Sequence, residues 1–160
     1  RSVHAHSTLV IDEKEQDYWD HGFDGLFSLK ENCNRGITIE DNIISSYHTG
    51  YKQMHKRVFE LTNDHIKISD FCDDPSDKYI QFNLDPAIII SKIHKQSGSL
   101  TTDLIHKDGK KLRLEIHEIK NYQLLDGYFS EGYGIMVSNI MLKVELASNM
   151  AVTYFRWQQS

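Results

Sequence analysis

The chain has 160 residues, of which 39% are hydrophobic, and a formal net charge of −5 from 18 basic and 23 acidic residues. This length fits one domain, which buries roughly 70% of its unfolded surface and needs no disulfide or metal to stay folded. The acidic balance disfavours a nucleic-acid partner, and no apolar run reaches the roughly 18 to 20 residues of a membrane helix.

Short segments in which apolar and polar residues alternate run through the chain, as in residues 79–84 (YIQFNL) and 111–117 (KLRLEIH). A period of two is typical of half-buried strands. Asp108-Gly109, between two such segments, is a hairpin signal. The pattern predicts an all-β chain, an antiparallel β-sandwich of about ten or more strands in a single domain. Strands are predicted near residues 7–12, 36–48, 55–62, 65–72, 79–84, 87–94, 100–106, 111–117, 122–128, 134–146 and 151–157.

Residues 12–31 break this alternation and mix charged with aromatic side chains. We therefore predict a long loop, and long loops on sandwiches often carry binding contacts. Tyr18, Trp19 and Phe23 are candidates for stacking on a sugar ring. Packing of the loop against the domain would use the same side chains.

Two histidines, His4 and His6, flank one alanine at the start of the first predicted strand. Residues at positions i and i+2 of a strand share a face, so the two imidazoles would point the same way. Such a pair can bind a metal, but a stable site needs a third or fourth ligand. The alternative is a polar pair on a solvated edge strand.

A second group of polar residues lies at residues 47–57 (YHTGYKQMHKR). His48 and Tyr51 are of the two types that elimination chemistry on uronic acids uses. The same pattern fits a packed, glycine-containing turn. A basic cluster follows at Lys52, His55, Lys56 and Arg57. It could bind an anionic sugar chain, or it could simply be a face exposed to solvent. No GxSxG, P-loop or GxGxxG motif is present. The chain has two cysteines, Cys33 and Cys72, which could form one disulfide. Without a CxxC pattern they cannot form a zinc knuckle.

The first segment, AHSTLVID at residues 5–12, followed by Glu15, Gln16 and Trp19, resembles a motif in the C-terminal half of the heparinase II/III-like family. The family has Asn where Ser7 stands and Gly where Glu13 stands. Four further resemblances follow in the same order along the chain. They lie at 48–57, 66–70, 82–86 (with Asn83 in place of a family His) and 130–134.

This resemblance implies a polysaccharide lyase that cleaves uronic-acid glycans by β-elimination. The family combines an N-terminal α/α toroid with a C-terminal β-sandwich, and its base and acid, Tyr and His, lie largely on the toroid. The resemblance implies that His6 is a ligand of zinc or another divalent metal in the parent protein. The companion His and Asp ligands would precede Arg1, so we expect the fragment to bind no metal. No catalytic residue is assigned within this chain.

The implied partners are an acidic polysaccharide and the chain's own toroid domain, with no nucleic acid and no membrane insertion. Trp19, His48, Tyr51, Lys52 and Arg57 are the predicted substrate-binding residues. Because the chain begins at Arg1, directly before a predicted strand, we expect it to be a piece of a longer or processed protein. Relatives in bacteria are commonly exported, which implies the periplasm or cell surface. The alternative function is a non-catalytic glycan-binding or interaction module of a polysaccharide-assembly protein.

Overall fold

A computed structural model of the chain describes residues 6–12, 14, 33–132 and 135–157. Its described elements are all strands, arranged in one four-stranded and one nine-stranded antiparallel sheet. The prediction of an all-β antiparallel sandwich is confirmed. The strands are β1 Leu9–Ile11, β2 Arg35–Glu40, β3 Ile43–His48, β4 His55–Leu61, β5 His65–Cys72, β6 Lys78–Asn83, β7 Ile88–Ile90, β8 His94–Gln96, β9 Ser99–His106, β10 Lys111–His117, β11 Ile119–Gly132, β12 Ile135–Leu146 and β13 Met150–Trp157.

The smaller sheet has the order β1-β6-β12-β11, so β1 is an edge strand with three residue pairs to β6. The larger sheet has the order β2-β3-β4-β5-β13-β10-β9-β7, and β8 also pairs with β9. The inner faces of both sheets contribute to one hydrophobic core. Leu9 and Ile80 enter it from the smaller sheet, and Leu114 and Ile116 enter it from the larger one; all four are fully buried.

Two hairpin turns were not predicted. The single strand predicted at 36–48 is wrong, because the chain reverses at Asp41-Asn42 to form β2 and β3; Asp41 adopts a φ of 49°. A two-residue turn at Ser97-Gly98 joins β8 to β9, with φ values of 46° and 76°. Asp, Asn and Gly accommodate such left-handed conformations more readily than other residues. The single strand predicted at 87–94 is also wrong, because the structure has β7 at Ile88–Ile90 and β8 at His94–Gln96.

The predicted hairpin at Asp108-Gly109 is confirmed between β9 and β10, with Gly109 at a φ of 90°. The strand predicted at 134–146, a segment that also has helical propensity, is confirmed as β12. Within the described ranges, no helix has the length and hydrophobicity needed to cross a bilayer. No disulfide joins Cys33 to Cys72.

Candidate functional site

Four polar side chains meet on the inner face of the larger sheet, at the end that faces β1. His48 on β3 lies directly opposite His55 on β4, and Arg57 lies directly opposite Asp70 on β5. Residues opposite one another share a face, and His55 and Arg57 share it because they are two positions apart. Strand pairing therefore brings together residues separated by up to 22 positions. We call these four residues the His–Asp–Arg network.

The network is continuously hydrogen-bonded. His48 Nε2 lies 3.0 Å from His55 Nδ1, and His55 Nε2 lies 2.8 Å from Asp70 Oδ1. The Arg57 guanidinium donates to both carboxylate oxygens of Asp70, from Nε at 2.7 Å and from Nη2 at 3.0 Å. The side chains of His55 and Asp70 are 4% and 1% exposed. This is a buried, bidentate ion pair extended by two imidazoles.

The hydrogen-bond partners indicate which ring nitrogens donate. An ionised Asp70 can only accept, so His55 Nε2–H donates to it, and His55 Nδ1 is then placed to accept from His48 Nε2–H. His48 Nδ1 accepts from the Gly50 backbone N–H at 3.2 Å. We therefore assign the Nε2–H tautomer to both rings from their partners.

Asp70 is held ionised by its partners. Burial, the largest contribution, opposes ionisation. The hydrogen bond from His55 and the charge and hydrogen bonds of Arg57 together outweigh it, so the pKa of Asp70 lies below its ordinary value. Asp70 is thus the charged centre that orients both His55 and Arg57.

The network reaches across the sandwich to the segment that carries His6. Arg57 Nη1 donates to the Ser7 carbonyl at 2.8 Å, and the Tyr51 hydroxyl donates to the Leu9 carbonyl at 2.9 Å. The rings of Tyr51 and His48 are 5.4 Å apart. The contacts run from β4 and from the β3–β4 turn of the larger sheet to the residues just before β1 and to its first residue.

The predicted substrate-binding residues separate into two kinds. His48, Tyr51 and Arg57 lie together, but their polar atoms bond within the protein, and Tyr51 is only 3% exposed. Lys52 is exposed and adopts a φ of 68° in the turn before β4. The predicted basic cluster is divided by strand alternation, because Lys56 is exposed on the opposite face from Arg57. Trp19, Tyr18 and Phe23 lie outside the described residues, as does His4.

His6 lies just before β1 and is exposed, and its carbonyl accepts from Gln81 Nε2 at 2.7 Å. Among residues 6–12, 14, 33–132 and 135–157, no three His, Cys, Asp or Glu side chains are grouped as metal ligands. The described residues therefore do not build the metal centre that the resemblance implies around His6. Its role as a ligand stays a prediction.

Sequence reasoning missed Asp70 and Gln81 as site residues. Asp70 was noted only within the 66–70 motif, and its partners come from other strands. The available signal was His55-x-Arg57, which places a histidine and an arginine on one strand face and calls for a nearby acceptor.

No protein-family model and no curated protein matches the chain. Solved structures do match. A structure of heparinase III aligns with a TM-score of 0.68 and 12% identity, over 100% of this chain and 25% of that one. Heparan sulfate lyase HepC from Pedobacter heparinus aligns with a TM-score of 0.66 and 14% identity, over 100% and 25%. A heparinase III gene product aligns with a TM-score of 0.65 and 14% identity, over 98% and 24%.

At these identities the likeness is one of fold. The chain has the β-sandwich fold of a segment of heparinase III, and the resemblance inferred from the five motifs is confirmed at that level. It spans about a quarter of the length of the structures that it matches.

Proposed function

We propose that this chain is the C-terminal β-sandwich domain of a polysaccharide lyase that cleaves uronic-acid-containing glycans by β-elimination. The observation that carries the proposal is the fold likeness over 97–100% of the chain to structures of heparinase III and of a heparan sulfate lyase. This chain matches only about a quarter of each of those chains. In our proposal the rest of the parent protein includes an α/α toroid, which is the domain's partner.

The chemistry of the site supports an accessory role. Elimination needs a base to remove the C5 proton and an acid to protonate the leaving oxygen. His48 and His55 are held by hydrogen bonds at both ring nitrogens, and the Tyr51 hydroxyl donates to a backbone carbonyl. These described His and Tyr side chains serve the structure. We therefore propose that base and acid come from the rest of the parent protein, and that this domain alone is inactive.

The partner we propose is an acidic polysaccharide, bound between this domain and the toroid, in a protein of the periplasm or cell surface. A zinc or other divalent ion held in part by His6 belongs to the same proposal. When bound, such an ion would supply positive charge. It would hold its ligands together and so order the strands that carry them.

The test compares the purified chain with its longer parent. Each is incubated with heparin, heparan sulfate and alginate, and the ultraviolet absorbance of unsaturated uronate is followed. We expect turnover by the parent on at least one substrate and none by the chain, whose folding is verified by circular dichroism. Turnover by the chain alone would contradict the accessory role, and an inactive parent would contradict the lyase.

The alternative function, a non-catalytic glycan-binding module, is distinguished by the same proteins. It requires that the chain alone bind a glycan and that Trp19→Ala abolish the binding while the parent releases no product. Trp157→Ala serves as a matched control, since Trp157 is an exposed tryptophan at the end of β13.

A further inference from the structure

The backbone of residues 6–9, which we call the anchored segment, is held at every carbonyl. Gln81 Nε2 donates to the His6 carbonyl at 2.7 Å, and the Gln81 backbone N–H donates to the Thr8 carbonyl at 2.9 Å. The other two carbonyls accept from Arg57 and Tyr51, as described above. Strand β1, which begins at Leu9 within this segment, has only three residue pairs at a sheet edge. Ladder pairing alone is therefore a weak restraint on the segment.

Among these donors, Arg57 joins the anchored segment to the interior of the other sheet. Each of its three guanidinium nitrogens donates one hydrogen bond, Nε and Nη2 to Asp70 and Nη1 to the Ser7 carbonyl. The planar guanidinium makes these directions rigid, so the orientation that Asp70 imposes is passed to the Ser7 carbonyl. His55 and His48 fix Asp70 from its other side.

We propose that Arg57, oriented by Asp70, His55 and His48, is a positioning residue that fixes the anchored segment and thereby the direction in which His6 presents its imidazole. The part that gives His6 a ligand role rests on the proposed function. The positioning itself is a property of the fold and is measured without glycan, metal or turnover.

Lysine in place of Arg57 keeps the charge and can pair with Asp70. It cannot also reach the Ser7 carbonyl in the guanidinium's fixed geometry. The matched control is Arg113→Lys. Arg113 lies directly opposite Asp103 on the neighbouring strand and donates to it from Nε at 2.9 Å, as Arg57 does to Asp70, but without a contact to the anchored segment among those the structure shows.

The readout is amide hydrogen exchange at Gln81 and Asn83, whose N–H groups donate to the Thr8 carbonyl and to Ser7 Oγ at 3.0 Å. The reference is the Leu84 amide, which donates to the Ile140 carbonyl of β12, the neighbour of β6 on the side away from β1. In Arg57→Lys we expect protection at Gln81 and Asn83 to fall about tenfold or more relative to Leu84, the size expected for one lost charge-assisted hydrogen bond. In Arg113→Lys we expect no change in this ratio.

A second measurement follows the His6 imidazole by nuclear magnetic resonance. We expect its signals to move towards those of an unstructured histidine in Arg57→Lys and to stay unchanged in Arg113→Lys. An unchanged exchange ratio in Arg57→Lys would overturn the proposal, and so would an equal loss at Leu84, which would mark general destabilisation.

Should Arg57→Lys fail to fold, His48→Ala removes the outermost member of the network and leaves the ion pair in place. We then expect a smaller but selective loss of protection at Gln81 and Asn83, and no selective loss would overturn the proposal. None of these outcomes depends on lyase activity, so a failure of positioning is distinguishable from a failure of the proposed function.

Discussion

Replacing Asp70 with asparagine tests whether the buried carboxylate is the centre of the His–Asp–Arg network. Asparagine has nearly the same shape but carries no charge, and its amide N–H₂ would face donors. The substitution leaves the Arg57 guanidinium, whose side chain is 15% exposed, without a counter-charge, and leaves His55 with a poorer acceptor. The substitution therefore removes the charge of Asp70 while its partners, Arg57 and His55, stay in place.

Breaking a buried ion pair in this way costs about 3–5 kcal/mol. The matched control, Asp103→Asn, breaks the Arg113–Asp103 pair of the same sheet, whose side chains are 46% and 28% exposed. An exposed pair contributes only about 0.2–1 kcal/mol. The two substitutions thus make the same chemical change and differ in burial, and we expect their free energies of unfolding to differ by about 2 kcal/mol or more.

The assay is urea denaturation followed by circular dichroism at pH 7 and at a series of lower pH values. Because the folded pKa of Asp70 is lowered, its contribution is present above the unfolded value of about 3.9 and is lost as the pH falls through the folded pKa. The gap between wild type and Asp70→Asn should therefore narrow below about pH 4. Equal losses for the two variants at pH 7, or a gap that widens in acid, would refute the reasoning.

Two further predictions concern other parts of the fold. A methyl group at Gly127 would lie 2.6 Å from Asn139 Oδ1, a buried side chain held by its own hydrogen bond, so Gly127→Ala should cost about 1–3 kcal/mol by urea denaturation. The control Gly36→Ala meets only the exposed ring of Tyr47, which can move, and should cost less; equal losses would contradict this. Burial raises the pKa of the Cys72 thiol, so iodoacetamide should alkylate Cys72 at least about tenfold more slowly in the native protein than in urea, by mass spectrometry.

Sequence alone located most of the strands and was insufficient for their order in the sheets and for the site. Alternation identifies strands locally, which is why residues 111–117 and 65–72 were placed correctly. Strand order is not local. The pairing of Arg57 with Asp70, and of both with a carbonyl 50 residues earlier, depends on which strands become neighbours. A buried carboxylate looks like any surface aspartate until its neighbours are known.

The same logic explains why the basic cluster at 52–57 was only partly informative. Four cationic or titratable residues close in sequence suggested one charged surface, but the period of two sends Lys56 outward and Arg57 inward. A cluster of charged residues in a sequence therefore predicts a binding surface only after each residue has been assigned to the inner or outer face of its strand.

Buried ion pairs are a costly way to stabilise a protein, and apolar replacements of similar volume often match or exceed them. If the His–Asp–Arg network served stability alone, a variant carrying His55→Phe, Arg57→Met and Asp70→Leu should lose nothing of consequence. We expect this triple variant to unfold within about 2 kcal/mol of wild type and yet to lose exchange protection selectively at Gln81 and Asn83. Stability would then be restored by apolar packing while the anchored segment is released, because no guanidinium reaches the Ser7 carbonyl. Retained protection at both amides would show that β1 pairing with β6 and the Tyr51 and Gln81 side chains hold the segment without Arg57.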